Sequence, residues 1–381
     1  MSENNGKSNI IELNTISEIN KDTPSQVLYP RRKTRKVNVG GIWVGGDSPV
    51  TVQTMTKTKT ADVKATVAQI KRCEEAGVDI IRVTVNTKEA AEAMAEIVKQ
   101  SNVPICADIH FNYIFALKAI EAGVAKVRIN PGNIGKHDRI RKVLNKAKEY
   151  EVPIRIGVNS GSLEKDLLDK YGYPTDEALF ESAMRHVAIA KDFGFDDVIV
   201  SVKSTSVPLM ISAYRLFAQR TDIPLHLGVT EAGIPKMGII KSAVGIGTLL
   251  AEGIGDTIRV SLTDEPEREV EVGKEILKSL DLKQRTVEII SCPTCGRLDV
   301  DLFKIVNELE ERTKDIQKPV KVSILGCAVN GPGEAADADI GIAASKGKGL
   351  LFMKGQAIGH VKEEEIVDRL YEEIMKFEPE N

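Results

Sequence analysis

What this chain has too little of is cysteine. Of five cysteines in 381 residues, two stand three apart in Ser291-Cys292-Pro293-Thr294-Cys295-Gly296-Arg297, a third follows far downstream at Cys327, and no fourth completes the set. Four thiolates would close a structural or electron-transfer site, whereas three can hold three irons of a cubane cluster and leave the fourth to a weaker ligand or to substrate. The Cys-x3-Cys-x2-Cys pattern of radical enzymes is absent. So is the second cysteine pair of a zinc ribbon, and zinc stays open only with three thiolates and an oxygen, or by reaching His360. Cys73 and Cys106 fall in a helix-like and a strand-like stretch and read as buried hydrophobes.

Other absences narrow the class further. The formal net charge of -3 gives no electrostatic footprint for nucleic acid or a membrane surface. No apolar run is long enough to span a bilayer. Without a signal peptide or a disulfide framework, the chain is expected in a reducing, cytoplasmic compartment. There is no P-loop, and Gly245-Ile246-Gly247 lacks the preceding strand that a dinucleotide fingerprint requires. His137 and His186 lie in charged helical contexts and read as surface residues. Residues 1–32 are rich in Asn, Ser, Lys and Glu and read as a disordered leader; Glu3, Glu12, Glu18 and Asp22 argue against a transit peptide.

With 42% hydrophobic and 28% charged residues the chain can bury a full core, and its length suits a large barrel plus an appendage. From residue 48 to 263 strand signals alternate with helical stretches. Four strands begin after a proline, at Pro49, Pro104, Pro153 and Pro224, and four after a helix-ending glycine, at Gly77, Gly123, Gly194 and Gly255. Eight strands with interleaved helices predict a TIM (β/α)8 barrel, within a domain spanning 33–283, with an open doubly wound sheet as the alternative. One parity of each strand is apolar, from Val50 and Val52 to Ile258 and Val260, and is expected to face the helices. The other parity is polar and carries Gln53, Arg82, Thr84, Asp108, His110, Arg128, Asn130, Arg155, Asn159, Ser201, Lys203, His226, Thr230, Arg259 and Ser261.

Arg82, Arg128, Arg155, Lys203 and Arg259 thus converge on the barrel interior or its rim, and Asp108 and Glu231 are the nearby acids. Enclosed cations without counter-charge are costly, so an anionic ligand is expected, and arginine suits a phosphate or diphosphate ester. Internal ion pairs with helix-terminal carboxylates are the competing account. Asp264 to Lys283 reads as a helical connection. A small α/β domain over 284–381 follows, with strands at Thr286–Ile290 and Val320–Leu325, each leading into a cysteine loop, a helix at Leu298–Thr313, further strands over Ala338–Ala344 and Gly349–Val361, and a final amphipathic helix at Lys362–Phe377. Glu334, seven residues after Cys327, is a candidate fourth cluster ligand; a helix cap is the plainer reading of the same carboxylate.

These residues resemble one family, the 4-hydroxy-3-methylbut-2-enyl diphosphate synthases of the methylerythritol phosphate route to isoprenoids. The most specific piece is Gly326-Cys327-Ala328-Val329-Asn330-Gly331-Pro332-Gly333-Glu334 paired with Cys292-Pro293-Thr294-Cys295, and the barrel segments Arg128-Ile129-Asn130-Pro131-Gly132-Asn133, Arg155-Ile156-Gly157-Val158-Asn159, Val229-Thr230-Glu231-Ala232-Gly233 and Ile258-Arg259-Val260-Ser261 agree. The extra domain of plant-type members is absent, as in the two-domain bacterial type. The resemblance implies reductive ring opening and dehydration of 2-C-methyl-D-erythritol 2,4-cyclodiphosphate. It implies one 4Fe-4S cluster per chain held by Cys292, Cys295, Cys327 and Glu334, a diphosphate held by Arg82, Arg128, Arg155, Lys203, Arg259 and Ser261, and Asn159 and Glu231 beside the reacting carbons, Glu231 as a proton donor. It further implies ferredoxin or flavodoxin as electron donor and a head-to-tail homodimer. A non-redox iron-sulfur hydro-lyase and a zinc-ribbon binding module fused to a barrel remain as other classes.

Overall fold

The structure, a computed structural model, describes residues 30–129, 137–283, 286–327 and 329–379. Most of the expected leader and the segment from Asn130 to Asn133 lie outside the described residues.

Eight strands form the first sheet: β3 (Thr51–Met55), β4 (Ile80–Thr84), β5 (Ile105–Ile109), β6 (Lys126–Ile129), β7 (Ile154–Asn159), β8 (Val198–Lys203), β9 (His226–Leu227) and β10 (Thr257–Ile258). They pair in parallel in the order β8-β7-β6-β5-β4-β3-β10-β9, and a parallel bridge from Val200 to Leu225 joins the two ends. The barrel is therefore closed, and the open sheet is excluded. β9 and β10 are shorter than the sequence suggests, because beyond Leu227 and Ile258 the chain leaves ladder geometry as it approaches the mouth. The parity reading holds: all the outward apolar residues, from Val50 through Val260, sit in one continuous core with the helices. Helix starts are capped by Asp62, Thr87 and Thr175, whose side chains accept from the backbone N–H of Ala65, Ala90 and Ala178. Gly77, Gly123, Gly194 and Gly255, with φ of 81, 86, 64 and 122°, make the left-handed turns that start strands β4, β6, β8 and β10.

Three features depart from the sequence reading. A hairpin, β1 (Lys36–Val39) and β2 (Ile42–Gly45), turns at Gly40-Gly41 and closes the amino-terminal end of the barrel, packing Val37, Val39 and Val44 on Ile80, Cys106 and Ile199. The alternation of Val37-Asn38-Val39 before a Gly-Gly pair was the signal for it. Arg31 and Arg32, assigned to the leader, are instead tied to the barrel: Arg31 pairs with Asp256 at 3.3 Å, and Arg32 donates to the carbonyls of Thr221 and Ile223. The expected connection is the eighth barrel helix, Pro266–Ser279, which buries Val270, Val272, Ile276 and Leu277 against the wall, so only a few residues separate the domains.

The second sheet runs β11 (Val287–Ser291), β12 (Val320–Leu325), β13 (Ile340–Ser345), β14 (Lys348–Met353), β15 (Gln356–Lys362) in spatial order, the first two pairings parallel and the last two antiparallel. Helices Leu302–Thr313 and Ile366–Lys376 complete a core of their own, separate from that of the barrel.

Candidate active site and candidate cluster loops

The inward residues of the barrel converge at the carboxyl ends of the strands. Arg128 donates to Asp108 at 3.1 Å, and Arg82 stands 3.7 Å from the same carboxylate while its guanidinium also reaches the sulfur of Met55. His110 is 3.6 Å from Asp108 on the open side. Burial alone would raise the Asp108 carboxyl, but Arg82 and Arg128, then His110, hold it well below the usual carboxylate range. Arg259 pairs with Glu269 at 3.3 Å; that carboxylate also accepts from Thr54 and from the backbone of Leu262. Lys203 is buried without an ion pair among the described residues, and desolvation together with Arg259 and Arg82 pushes its ammonium far down. Arg155 lies deepest, with no exposed surface and no hydrogen-bond partner for any of its three guanidinium nitrogens among the described residues.

Two expectations about acids change. Glu231 is exposed and sits in the left-handed region at φ 48° on the mouth loop after β9. The second acid that meets the cations is Glu269, on the helix read as a connection. Ion pairing with a helix carboxylate thus accounts for Arg259, and Asp108 for Arg82 and Arg128. It does not account for Lys203 or Arg155. Asn159 ends β7 and Ser261 follows Arg259 at the mouth, both half-buried.

In the second domain, the two cysteine loops leave the carboxyl ends of adjacent parallel strands. Ser291 pairs with Ile324 in register, the N–H of Asp299 donates to Gly326 O at 3.2 Å, and Leu298 N–H closes a turn onto Cys295 O at 3.0 Å. Thr294, at φ 54°, bends the Cys-x2-Cys loop. Cys292 and Cys327 are half-buried and Cys295 is exposed; Arg297 donates to Cys295 from its backbone and side chain, which lowers that thiol. Glu334 is exposed in the first turn of the short helix Gly331–Ala336, so it occupies the position that both ligation and capping would use. Among the described residues no three His, Cys, Asp or Glu side chains form the tight group that one ion takes. His360 is on β15, three strands from β12, too far to complete a zinc site with the cysteines. Cys73 and Cys106 are buried, as expected. His186 is not a surface residue: its Nε2 is 3.0 Å from Glu164. The side chain of His137 lies outside the described residues.

Fold and site together define a two-domain barrel enzyme with a cation-lined mouth and an appended three-cysteine domain. The chain belongs to the GcpE family: the GcpE TIM-barrel domain matches residues 34–274 and the GcpE protein C-terminal domain residues 288–376. It is 57% identical over 340 residues, 89% of its length and 97% of the relative's, to the 4-hydroxy-3-methylbut-2-en-1-yl diphosphate synthase (flavodoxin) of Clostridium perfringens. The protein of the same name from Bacillus cereus is 54% identical over 90% of this chain and 93% of its own. Among solved structures, a dihydropteroate synthase from Stenotrophomonas maltophilia aligns with 65% of this chain and 97% of its own at a TM-score of 0.49 and 13% identity.

Proposed function

We propose that this chain is a 4-hydroxy-3-methylbut-2-en-1-yl diphosphate synthase that takes electrons from flavodoxin and acts on 2-C-methyl-D-erythritol 2,4-cyclodiphosphate. Counted on the fully protonated acids, two electrons and two protons enter, the cyclic diphosphate opens and one water leaves. The observation that carries the reading is the imbalance of charge in the barrel: six basic side chains from five strands, Arg82, Lys126, Arg128, Arg155, Lys203 and Arg259, face two ion-pairing acids, Asp108 and Glu269. Arg82, Arg128, Arg155, Lys203, Arg259 and Ser261 hold the diphosphate, Arg155 from a fully buried position. Asn159 and Glu231, both at the mouth, orient the reacting carbons, and Glu231, open to solvent, can hold and pass a proton.

The thiol loops fit an iron-sulfur cluster, since they bring three soft donors to one end of one sheet and offer Glu334 as a harder fourth. Cys292, Cys295, Cys327 and Glu334 would hold one 4Fe-4S cluster, which when bound supplies single electrons to the carbon–oxygen bond being broken. A head-to-tail homodimer, in which the cysteine loops of one copy serve the barrel mouth of the other, is supported by the separation of the two cores.

The binding claim is tested by calorimetry with the cyclic diphosphate. Arg259→Ala is expected to weaken binding by about 2–3 kcal/mol, the scale of a charge-assisted hydrogen bond whose partner is left buried. Equal affinity in the variant and the parent would remove Arg259 from the site.

A further inference from the structure

Of the side chains assigned to the diphosphate, Arg82, Arg128, Arg155 and Lys203 stand inside strands, each with a ladder partner in a neighbouring strand. Arg259 and Ser261 do not. β10 ends at Ile258, and its pairings with β9 and β3 stop there too. One further backbone bond, from Arg259 N–H to Leu227 O at 2.9 Å, continues the ladder before the chain leaves it.

A side chain takes over from the ladder. Glu269, in the first turn of the helix Pro266–Ser279, is 1% exposed and has both oxygens engaged. Its Oε2 accepts from Thr54 Oγ1 at 2.8 Å and from Arg259 Nε and Nη2 at 3.4 and 3.3 Å. Its Oε1 accepts from Leu262 N–H at 3.1 Å and from Arg259 Nη2 at 3.4 Å. Lys57 Nζ stands 4.0 Å from the same oxygen and donates to the carbonyl of Leu262 at 3.1 Å. Thr54 is fixed in turn, since its hydroxyl also reaches Pro266 O at 3.3 Å. One carboxylate thus ties the end of β3, Arg259 and the loop that carries Ser261 to a single helix.

A guanidinium is planar, so gripping one edge aims the other. Glu269 takes the Nε–Nη2 edge, and Nη1 has no hydrogen bond among the described residues. The Nη1–Nη2 fork is left to meet phosphate oxygens. Charge works the other way, because a carboxylate 3.3 Å from Arg259 weakens its pull on an anion. Burial and then Arg82 lower the Arg259 guanidinium, and Glu269 opposes them. Geometry outweighs charge here. The mouth already holds other cations to attract an anion, whereas displacing one positioning group by about 1 Å can cost roughly 100-fold in rate.

The geometry points to Glu269 as a positioning residue of the mouth: through Arg259, and through the Leu262 N–H beside Ser261, it sets the two diphosphate contacts that no strand ladder fixes, with Thr54 holding its carboxylate. The inference rests on the assignment of the diphosphate to the barrel mouth. Glu269 acts through these groups and does not itself contact the ligand.

The test is calorimetry on the full-length, cluster-loaded protein under anaerobic conditions, with the cyclic diphosphate and inorganic pyrophosphate as separate probes. Glu269→Gln keeps the side chain's shape but sets an amide N–H against Arg259 or Leu262, and is expected to weaken both ligands by about tenfold or more. In an Arg259→Ala background the same change should cost less than about threefold, because groups that act through one another are not additive. A merely structural Glu269 would cost the same in both backgrounds. Thr54→Val removes one donor to the carboxylate and should weaken binding about two- to fivefold, the scale of one hydrogen bond; it decides alone where Glu269→Gln does not fold. Equal or tighter binding in Glu269→Gln, additive losses with Arg259→Ala, or unchanged binding in Thr54→Val would overturn the proposal. A parent that binds pyrophosphate and not the cyclic diphosphate would remove the proposed substrate while the pyrophosphate series still judges Glu269. A parent that binds neither would overturn both.

Discussion

Gly157 and Gly228 occupy inward positions, and each leaves room for a cation from elsewhere in the barrel. A Cβ on Gly157 would stand 2.6 Å from Nε of Arg128, and one on Gly228 would stand 3.1 Å from Nζ of Lys203 and 2.7 Å from the backbone oxygen of Arg259. The arginine has little freedom to retreat, since its guanidinium is held by Asp108. Gly157→Ala is therefore expected to dislodge Arg128 and weaken binding of the cyclic diphosphate by about 1–3 kcal/mol, the scale of one lost charge-assisted bond, while the fold survives. Calorimetry beside a thermal melt checks this; unchanged affinity would mean that Arg128 does not meet the ligand. Five of the inward cations were legible in the sequence, because strand parity is a local property that two or three apolar neighbours reveal, while Lys126, at the very start of its strand, was missed. The glycines and Glu269 were not. Their roles depend on which residue of another element lies opposite, and Arg259 and Glu269 are joined only when the last barrel helix folds back onto the wall.

At the scale of elements, the candidate cluster ligand Glu334 is placed by close backbone packing. A Cβ on Gly341 in β13 would lie 2.0 Å from the carbonyl oxygen of Ala335, inside the helix Gly331–Ala336. Backbone cannot rotate out of the way as a side chain can, so Gly341→Ala must shift that helix and Glu334 with it. Gly333, in the same helix, has nothing within 4 Å of an added Cβ. Iron and sulfide analysis after anaerobic reconstitution should find less cluster in Gly341→Ala and a normal load in Gly333→Ala; equal loads in the two would show that the helix does not position a ligand. The sequence displayed these strands well, since β12 matches its expected range and β11, β13, β14 and β15 fall within a few residues of theirs. The plugging hairpin was missed despite the alternation before Gly40-Gly41, because four-residue strands give a weak signal apart from the barrel end they cover.

At the scale of the whole molecule, the barrel and the three-cysteine domain have separate cores, and a short segment between Ser279 and Val287 joins them. A complete site needs cations from one domain and thiols from the other, and the proposed head-to-tail dimer would supply both. Mixing Cys327→Ser with Glu231→Gln, each inactive alone, is expected to restore about a quarter of parental activity, since random exchange makes half the dimers mixed and each mixed dimer keeps one intact site. No recovery after demonstrated subunit exchange would count against the shared site. The domain order was legible because each domain has its own periodicity, whereas the proposed head-to-tail arrangement came from the family resemblance alone, since it depends on surfaces that no local pattern encodes. The most direct measurement of the central claim is anaerobic turnover of the reconstituted protein with reduced flavodoxin and the cyclic diphosphate, with product identified by NMR and electrons counted. The account predicts the linear hydroxymethylbutenyl diphosphate at two electrons per molecule and none without reductant. A fully loaded protein that leaves the cyclic diphosphate unchanged, or dehydrates it with no electron consumed, would contradict it.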